Sequence, residues 1–180
     1  MLIVPECFQK NVKLHGGIFA LSLIPTEFYE DQLAEQLKNS TAIMEIDLRD
    51  VNFSHKGMEK IAEAMKHNCT IINLKLSHAV NTEIKKVIDH CCLRNQLIQN
   101  YLHIPDLVHH IKCLSYQAGL YKRPLDHVPS LRYQTTLFLK NSGKLDKLQH
   151  LFESVDDLKE FIKSIESVNQ ALNPLIPSNK

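Results

Sequence analysis

Ten histidines and five cysteines (Cys7, Cys69, Cys91, Cys92 and Cys113) are the residues of this chain best equipped for chemistry. His109 and Cys113 stand four apart, the spacing that puts two side chains on one face of a helix. His90, Cys91 and Cys92 close an earlier helical stretch, and His103 falls between the two groups. Four such ligands would make a tetrahedral zinc site. Against that, the chain holds no C-x2-C pair, and Cys91 already has a role as a small inward-facing helix residue. Nucleophilic catalysis by a Cys–His pair is the other chemistry these types allow, but no Gly-rich oxyanion loop or sharp elbow flanks any cysteine. Ser164-Ile165-Glu166-Ser167 sets hydroxyls beside a carboxylate in mid-helix, and Gly16-Gly17 is a lone pair without a phosphate loop. No P-loop, dinucleotide fingerprint or HExxH helix occurs. The expectation is a non-enzyme with no catalytic residues, no metal and no cofactor.

The elements that must position any site are announced by a repeat. Leu37-Lys38-Asn39-Ser40-Thr41-Ala42-Ile43 recurs 28 residues later as Met65-Lys66-His67-Asn68-Cys69-Thr70-Ile71. Leu33-Ala34-Glu35 aligns with Ile61-Ala62-Glu63, and Ile46-Asp47-Leu48 with Leu74-Lys75-Leu76. Ile46 and Leu48 alternate with Glu45, Asp47 and Arg49, the period of a strand buried on one face. Met58, Ile61, Ala62 and Met65 then follow a single helical stripe, and Asn68 closes the helix as a residue tolerant of the left-handed conformation. The next unit has strand residues Leu74 and Leu76 and a helix stripe at Ile84, Val87, Ile88 and Cys91. Arg94-Asn95-Gln96-Leu97 matches Asn68-Cys69-Thr70-Ile71 at an offset of 26, which predicts a third strand over 97–102. Upstream, a helix over 30–37 is fed by a strand within 17–23. Counting back 28 turns Ile18 and Ala20 inward, although the larger residues are Phe19, Leu21 and Leu23.

A fixed period of this length is the signature of a solenoid, in which at least three units must stack. The pattern resembles a leucine-rich repeat of the ribonuclease-inhibitor type, also used by NOD-like receptors and by effectors of intracellular bacterial pathogens. The resemblance is carried by Leu33 to Thr41, Ile61 to Thr70 and the two strand cores, over roughly residues 14 to 104. It implies an α/β fold: a short solenoid of three to four units with an N-terminal cap over 1–104. An all-α block over 105–180 follows it. In that block Pro105 opens a helix with Leu107, Val108, Ile111 and Leu114 inward. A second helix carries Leu131, Thr135, Phe138 and Leu139, and a short one Leu145, Leu148, Leu151 and Phe152. A last one, opened by Ser154-Val155-Asp156-Asp157 as a capping box, carries Leu158, Phe161, Ile162, Ile165, Val168 and Leu172.

In such an arc the outward strand residues line the concave face in columns: Glu45, Asn73 and Gln99; Asp47, Lys75 and Tyr101; Arg49, Ser77 and His103. This stripe of mixed charge suits a protein partner, whereas nucleic acid would want Lys and Arg in every row. A formal charge of +1 and a pI near 7.7 supply no basic footprint either. No apolar run approaches the 18 residues of a membrane span, and Met1 to Glu6 has no basic stretch of a Sec signal peptide. An odd number of cysteines without framework spacing points to reduced thiols and the cytosol. The function expected is protein binding through the concave face, with Arg49 and Tyr101 as anchors. The resemblance adds an effector secreted into a host cytosol, or an inhibitor of a partner enzyme. The alternative is an enzyme or adaptor in the helical half, with the repeats recruiting substrate.

Overall fold

A computed structural model describes residues 18–20, 27–49, 51–77, 80–125, 127–144 and 156–175. Three short strands, β1 (Ile18–Ala20), β2 (Glu45–Leu48) and β3 (Asn73–Leu76), form a parallel sheet in the order β1-β2-β3. They alternate with α1 (Glu27–Asn39), α2 (His55–His67) and α3 (Thr82–Asn100). Beyond these come α4 (Pro105–Gln117), α5 (Leu131–Asn141), α6 (Asp156–Leu172) and a 3-10 turn at Asn173–Leu175. The described chain is thus mostly helical, and the expected solenoid of three to four units followed by a separate helical block is not what forms. Where the third strand was expected, α3 runs on through Asn100. Its buried stripe continues without a break from Ile88 through Cys91 and Asn95 to Ile98, at helical spacing. Two polar residues in that stripe, Arg94 and Asn95, imitate a turn in the sequence while pointing into the interior. The free edge of β3, where another strand would add, meets α3 instead. Gln96 Nε2 donates to the Ile72 carbonyl at 3.0 Å, and the Leu74 N–H points at the Cys92 sulfur.

Within the sheet, β2 and β3 keep the 28-residue offset: Glu45 pairs with Asn73, Asp47 with Lys75 and Leu48 with Leu76. The β1–β2 register is 27, pairing Phe19 with Ile46, so the 28-residue count that turned Ile18 and Ala20 inward slips by one residue. Ile46, Leu48 and Leu74 are buried in one cluster with Leu37 of α1, Ile61 and Met65 of α2, and Ile88 and Cys91 of α3. Ile98 of α3 joins Ile111 of α4 with Val168 and Leu172 of α6, and Leu107, Tyr133, Phe161 and Ile165 form a third cluster. Leu131 and Phe138, expected inward on α5, are 79% and 64% exposed, while Tyr133 and Thr136 are buried. The roll of the helix follows from Tyr133, whose hydroxyl is held by His110 of α4. The proposed N-terminal cap, the short helix at Leu145 to Phe152 and the first half of the capping box lie outside the described residues.

A buried polar seam runs along the helix ends. Asn68 does not adopt the left-handed conformation; it is extended at φ −83°, ψ 139°, and its side chain does the work of termination. Fully buried, it donates to the Leu37 and Ser40 carbonyls at 2.8 and 2.9 Å and accepts from the Thr70 and Ile71 N–H groups. Asn95 repeats the device one unit on, donating to the Ile71 carbonyl at 2.8 Å. Arg94, 0% exposed, donates to the carbonyls of Met65, Lys66 and Asn68 at the end of α2, and to Leu120 beyond α4. These are carbonyls that an α-helix leaves unpaired at its C-terminus. The segment after α4 completes the closure: the Lys122 N–H donates to the Lys66 carbonyl, and Arg123 to that of Lys38.

At the opposite end of α2, Ser54 caps the helix by accepting from the Gly57 N–H at 2.9 Å. The carboxylate of Glu30, buried on α1, holds that cap by accepting from the Ser54 N–H and hydroxyl at 2.6 and 2.7 Å. A Cβ on Gly57 would lie 2.2 Å from the Glu30 carboxyl carbon.

Two stability predictions follow from these contacts. Asn68→Ala strands several buried backbone groups and should lower the unfolding free energy by about 3 kcal/mol in urea denaturation. Gly57→Ala should cost about 1–3 kcal/mol in the native chain. In a Glu30→Ala background the same change should stabilise by roughly 0.5–1 kcal/mol, as alanine for glycine does inside a free helix. An unchanged sign across that double-mutant cycle would refute the Glu30–Gly57 contact.

Candidate functional site

The face of the sheet away from the helices carries the side chains that alternate with Ile46, Leu48 and Leu74. Glu45, Asp47 and Asn73 are half-buried and Lys75 is exposed. Parallel pairing sets Glu45 beside Asn73 and Asp47 beside Lys75, on strands about 4.8 Å apart. Arg49 leaves the end of β2 and folds back on Asp47. Its Nε lies 2.9 Å from Oδ1 and its Nη2 2.5 Å from Oδ2, and its backbone N–H donates to the same carboxylate. The Arg49 hydrogen bonds, aided by the charge of Lys75, hold the Asp47 carboxyl below its ordinary pKa. Two acids and two bases therefore form a patch of balanced charge, in which the Asp47–Arg49 pair is held in place and the Arg49 guanidinium and Lys75 ammonium are exposed.

The third member of each expected column is elsewhere. Gln99 sits half-buried in the last turn of α3, and His103 is exposed in the turn before α4. Tyr101, the expected anchor, follows the end of α3 and packs against the second and third core clusters. The columns end at β3 because α3 supplies a helix where a strand was counted. Ser77, half-buried after β3, instead borders a cleft of about 380 Å³ at the carboxyl ends of β2 and β3. Phe53, Leu76, Val80 and Ile84 supply its apolar wall, and Asn81, the cap of α3, a polar edge. Sequence reasoning missed this cleft because its walls come from two loops, and loops carry no period. The sequence marks Ile84 only as part of the α3 stripe, and in the fold Ile84 and Val80 pack against the first core cluster while also bordering the cleft.

The histidine and cysteine groups are dispersed or absorbed into packing. Cys91 and Cys92 are buried in the first core, where burial raises both thiols, Cys92 to about 12. The four described cysteines, these two with Cys69 and Cys113, are free thiols. His109 and Cys113 do meet, Nε2 to Sγ at 3.2 Å. The His109 ring packs edge-on against His127 at 5.7 Å, and His127 Nε2 lies 3.2 Å from Asp106. Burial alone would raise the Asp106 carboxyl, but hydrogen bonds from the Ser130 hydroxyl and N–H and from His127 outweigh it and hold it low. Among the described residues, no three His, Cys, Asp or Glu side chains converge as metal ligands. Burial pushes the Cys113 thiol up, so the pair holds a neutral thiol and not the thiolate that nucleophilic catalysis requires.

Cys113 should accordingly react with iodoacetamide at neutral pH no faster than an ordinary cysteine, as peptide mapping after brief labelling would show. A hyper-reactive Cys113 would make the His109 pair a nucleophile. No helix among the described residues is long and apolar enough to cross a membrane. Comparison with family models, curated proteins and solved structures finds no match to this chain, so a functional reading stands on this geometry.

Proposed function

We propose that this chain is a non-enzymatic protein-binding unit that meets its partner through the polar face that β2 and β3 present on the sheet. The observation that carries the reading is the one-sidedness of the sheet at β2 and β3 among the described residues. Its helices pack into a single core behind Ile46, Leu48 and Leu74, while Glu45, Asp47, Asn73 and Lys75 line the other face. Parallel sheets are ordinarily covered on both faces, so a face that no described helix covers is suited to a partner. Arg49, pre-organised by its bidentate contact with Asp47, offers a charged anchor at low entropic cost. The cleft at Phe53 and Leu76 replaces Tyr101 as the apolar component, receiving a side chain of the partner instead of donating one. Mixed charge favours a protein over nucleic acid, and the four free thiols favour a partner in a reducing cytosol, that of the producing cell or of a host.

The test is affinity purification from cytosol with the native chain and with a Glu45→Ala, Arg49→Ala, Lys75→Ala triple variant. A true anchor is worth about 2 kcal/mol or more, so the triple variant should lose the partner by at least about thirtyfold in affinity. Partners retained equally by both chains would sink the sheet-face reading and move the function to the helical half.

A further inference from the structure

We propose that His110 is an acid-sensitive latch: its neutral ring ties α4 to α5 and α6, and protonation releases both helices. The ring is only 6% exposed and bridges three elements. Nδ1 lies 2.7 Å from the Tyr133 hydroxyl on α5, and Nε2 lies 2.8 Å from Oδ1 of Asn169 on α6. Because the Asn169 oxygen can only accept, Nε2 carries the proton and Nδ1 accepts from the phenol. A second proton has to enter at Nδ1. The imidazolium then donates in both directions, and the phenol proton must leave its acceptor inside a cluster of Leu107, Phe161 and Ile165.

No compensating anion reaches the ring from the described elements packed on it. On α4, His109 pairs with Cys113, and Asp106 is engaged by Ser130 and His127. From α5 come Tyr133 and the Lys140 ammonium, and from α6 Asn169 and Glu166, whose carboxylate lies 3.9 Å from Lys140. Burial lowers the His110 pKa first of all; Lys140 and His109 lower it further, against a smaller opposing effect of the Asn169 hydrogen bond. The sign follows. The released ring takes a proton near the ordinary value of 6.5, whereas the latched ring resists it to lower pH. Acidification below about pH 6.5 therefore favours the open form, and the latched form is fully favoured above it. What opens is the outer part of the helical half, because α5 and α6 are held through the small second and third clusters rather than the main core.

The experiment is hydrogen exchange by mass spectrometry on the full chain at about pH 7.5 and about pH 5, corrected for intrinsic rate, with and without His110→Gln. Glutamine donates and accepts in the same two directions but does not titrate. In the native chain, α5 and α6 peptides should exchange at least about tenfold faster at the lower pH while α1 and α2 peptides hold. His110→Gln should abolish that response. Unchanged α5 and α6 protection, or the same response in His110→Gln, would overturn the latch. If that variant does not fold, the His110 ring titration by NMR in the native chain decides. A midpoint matching the opening supports the latch, and titration without opening refutes it.

Discussion

The described structure depends most on how the C-terminal carbonyls of α1 and α2 are satisfied. Helix ends can be buried only if their orphan groups find partners, and here the partners are side chains from later in the chain. Asn68 joins the end of α1 to the start of β3, and Arg94 takes the carbonyls at the end of α2. A fully buried guanidinium would be costly alone, yet it lies against carbonyl oxygens at the negative end of a helix, with the Tyr121 ring 5.5 Å away. Because each partner also belongs to the next element, the geometry of one helix end is handed to the next. The 28-residue register of β2 and β3, and with it the pairing of Asp47 with Lys75, sits on that seam.

The same seam explains why strand addition stops. Arg94 and Asn95 reach the α2 carbonyls and Ile71 from the side of a helix, and α3 continues past the point where the repeat would have turned. A continuing α3 then lays Gln96 and Cys92 along the edge of β3 and closes it to further pairing. It also carries Leu97 and Ile98 outward, where they seed the second core with α4 and α6. The segment from Leu120 to Arg123 returns to the ends of α1 and α2, so the helical half and the sheet half share one set of polar contacts.

The abundance of histidine reads differently once the elements are placed. His110 is a hydrogen-bonded bridge between helices, His109 partners a thiol whose pKa is raised, and His127 leans on a carboxylate already engaged by Ser130. Two of these rings, His110 and His127, join separate elements, and the third pairs within α4. The exposed charged side chains of the sheet, Arg49 and Lys75, lie apart from these histidines, on the strands and at their ends.

The sequence alone determined β2, α2 and β3, their 28-residue register, and the outward positions of Glu45, Asp47, Asn73 and Lys75. Alternation and helical stripes are local consequences of backbone geometry, so residues a few positions apart suffice to display them. Only the tertiary structure decided that 97–102 ends a helix, that Tyr101 packs inward, and that α5 buries Tyr133 while exposing Leu131 and Phe138. In each case the deciding partner lies 23 or more residues away: the Met65 and Leu120 carbonyls for Arg94, the α6 core for Tyr101, and His110 for Tyr133. A polar residue in an apolar stripe reads as a turn until the distant carbonyl that it serves is in place.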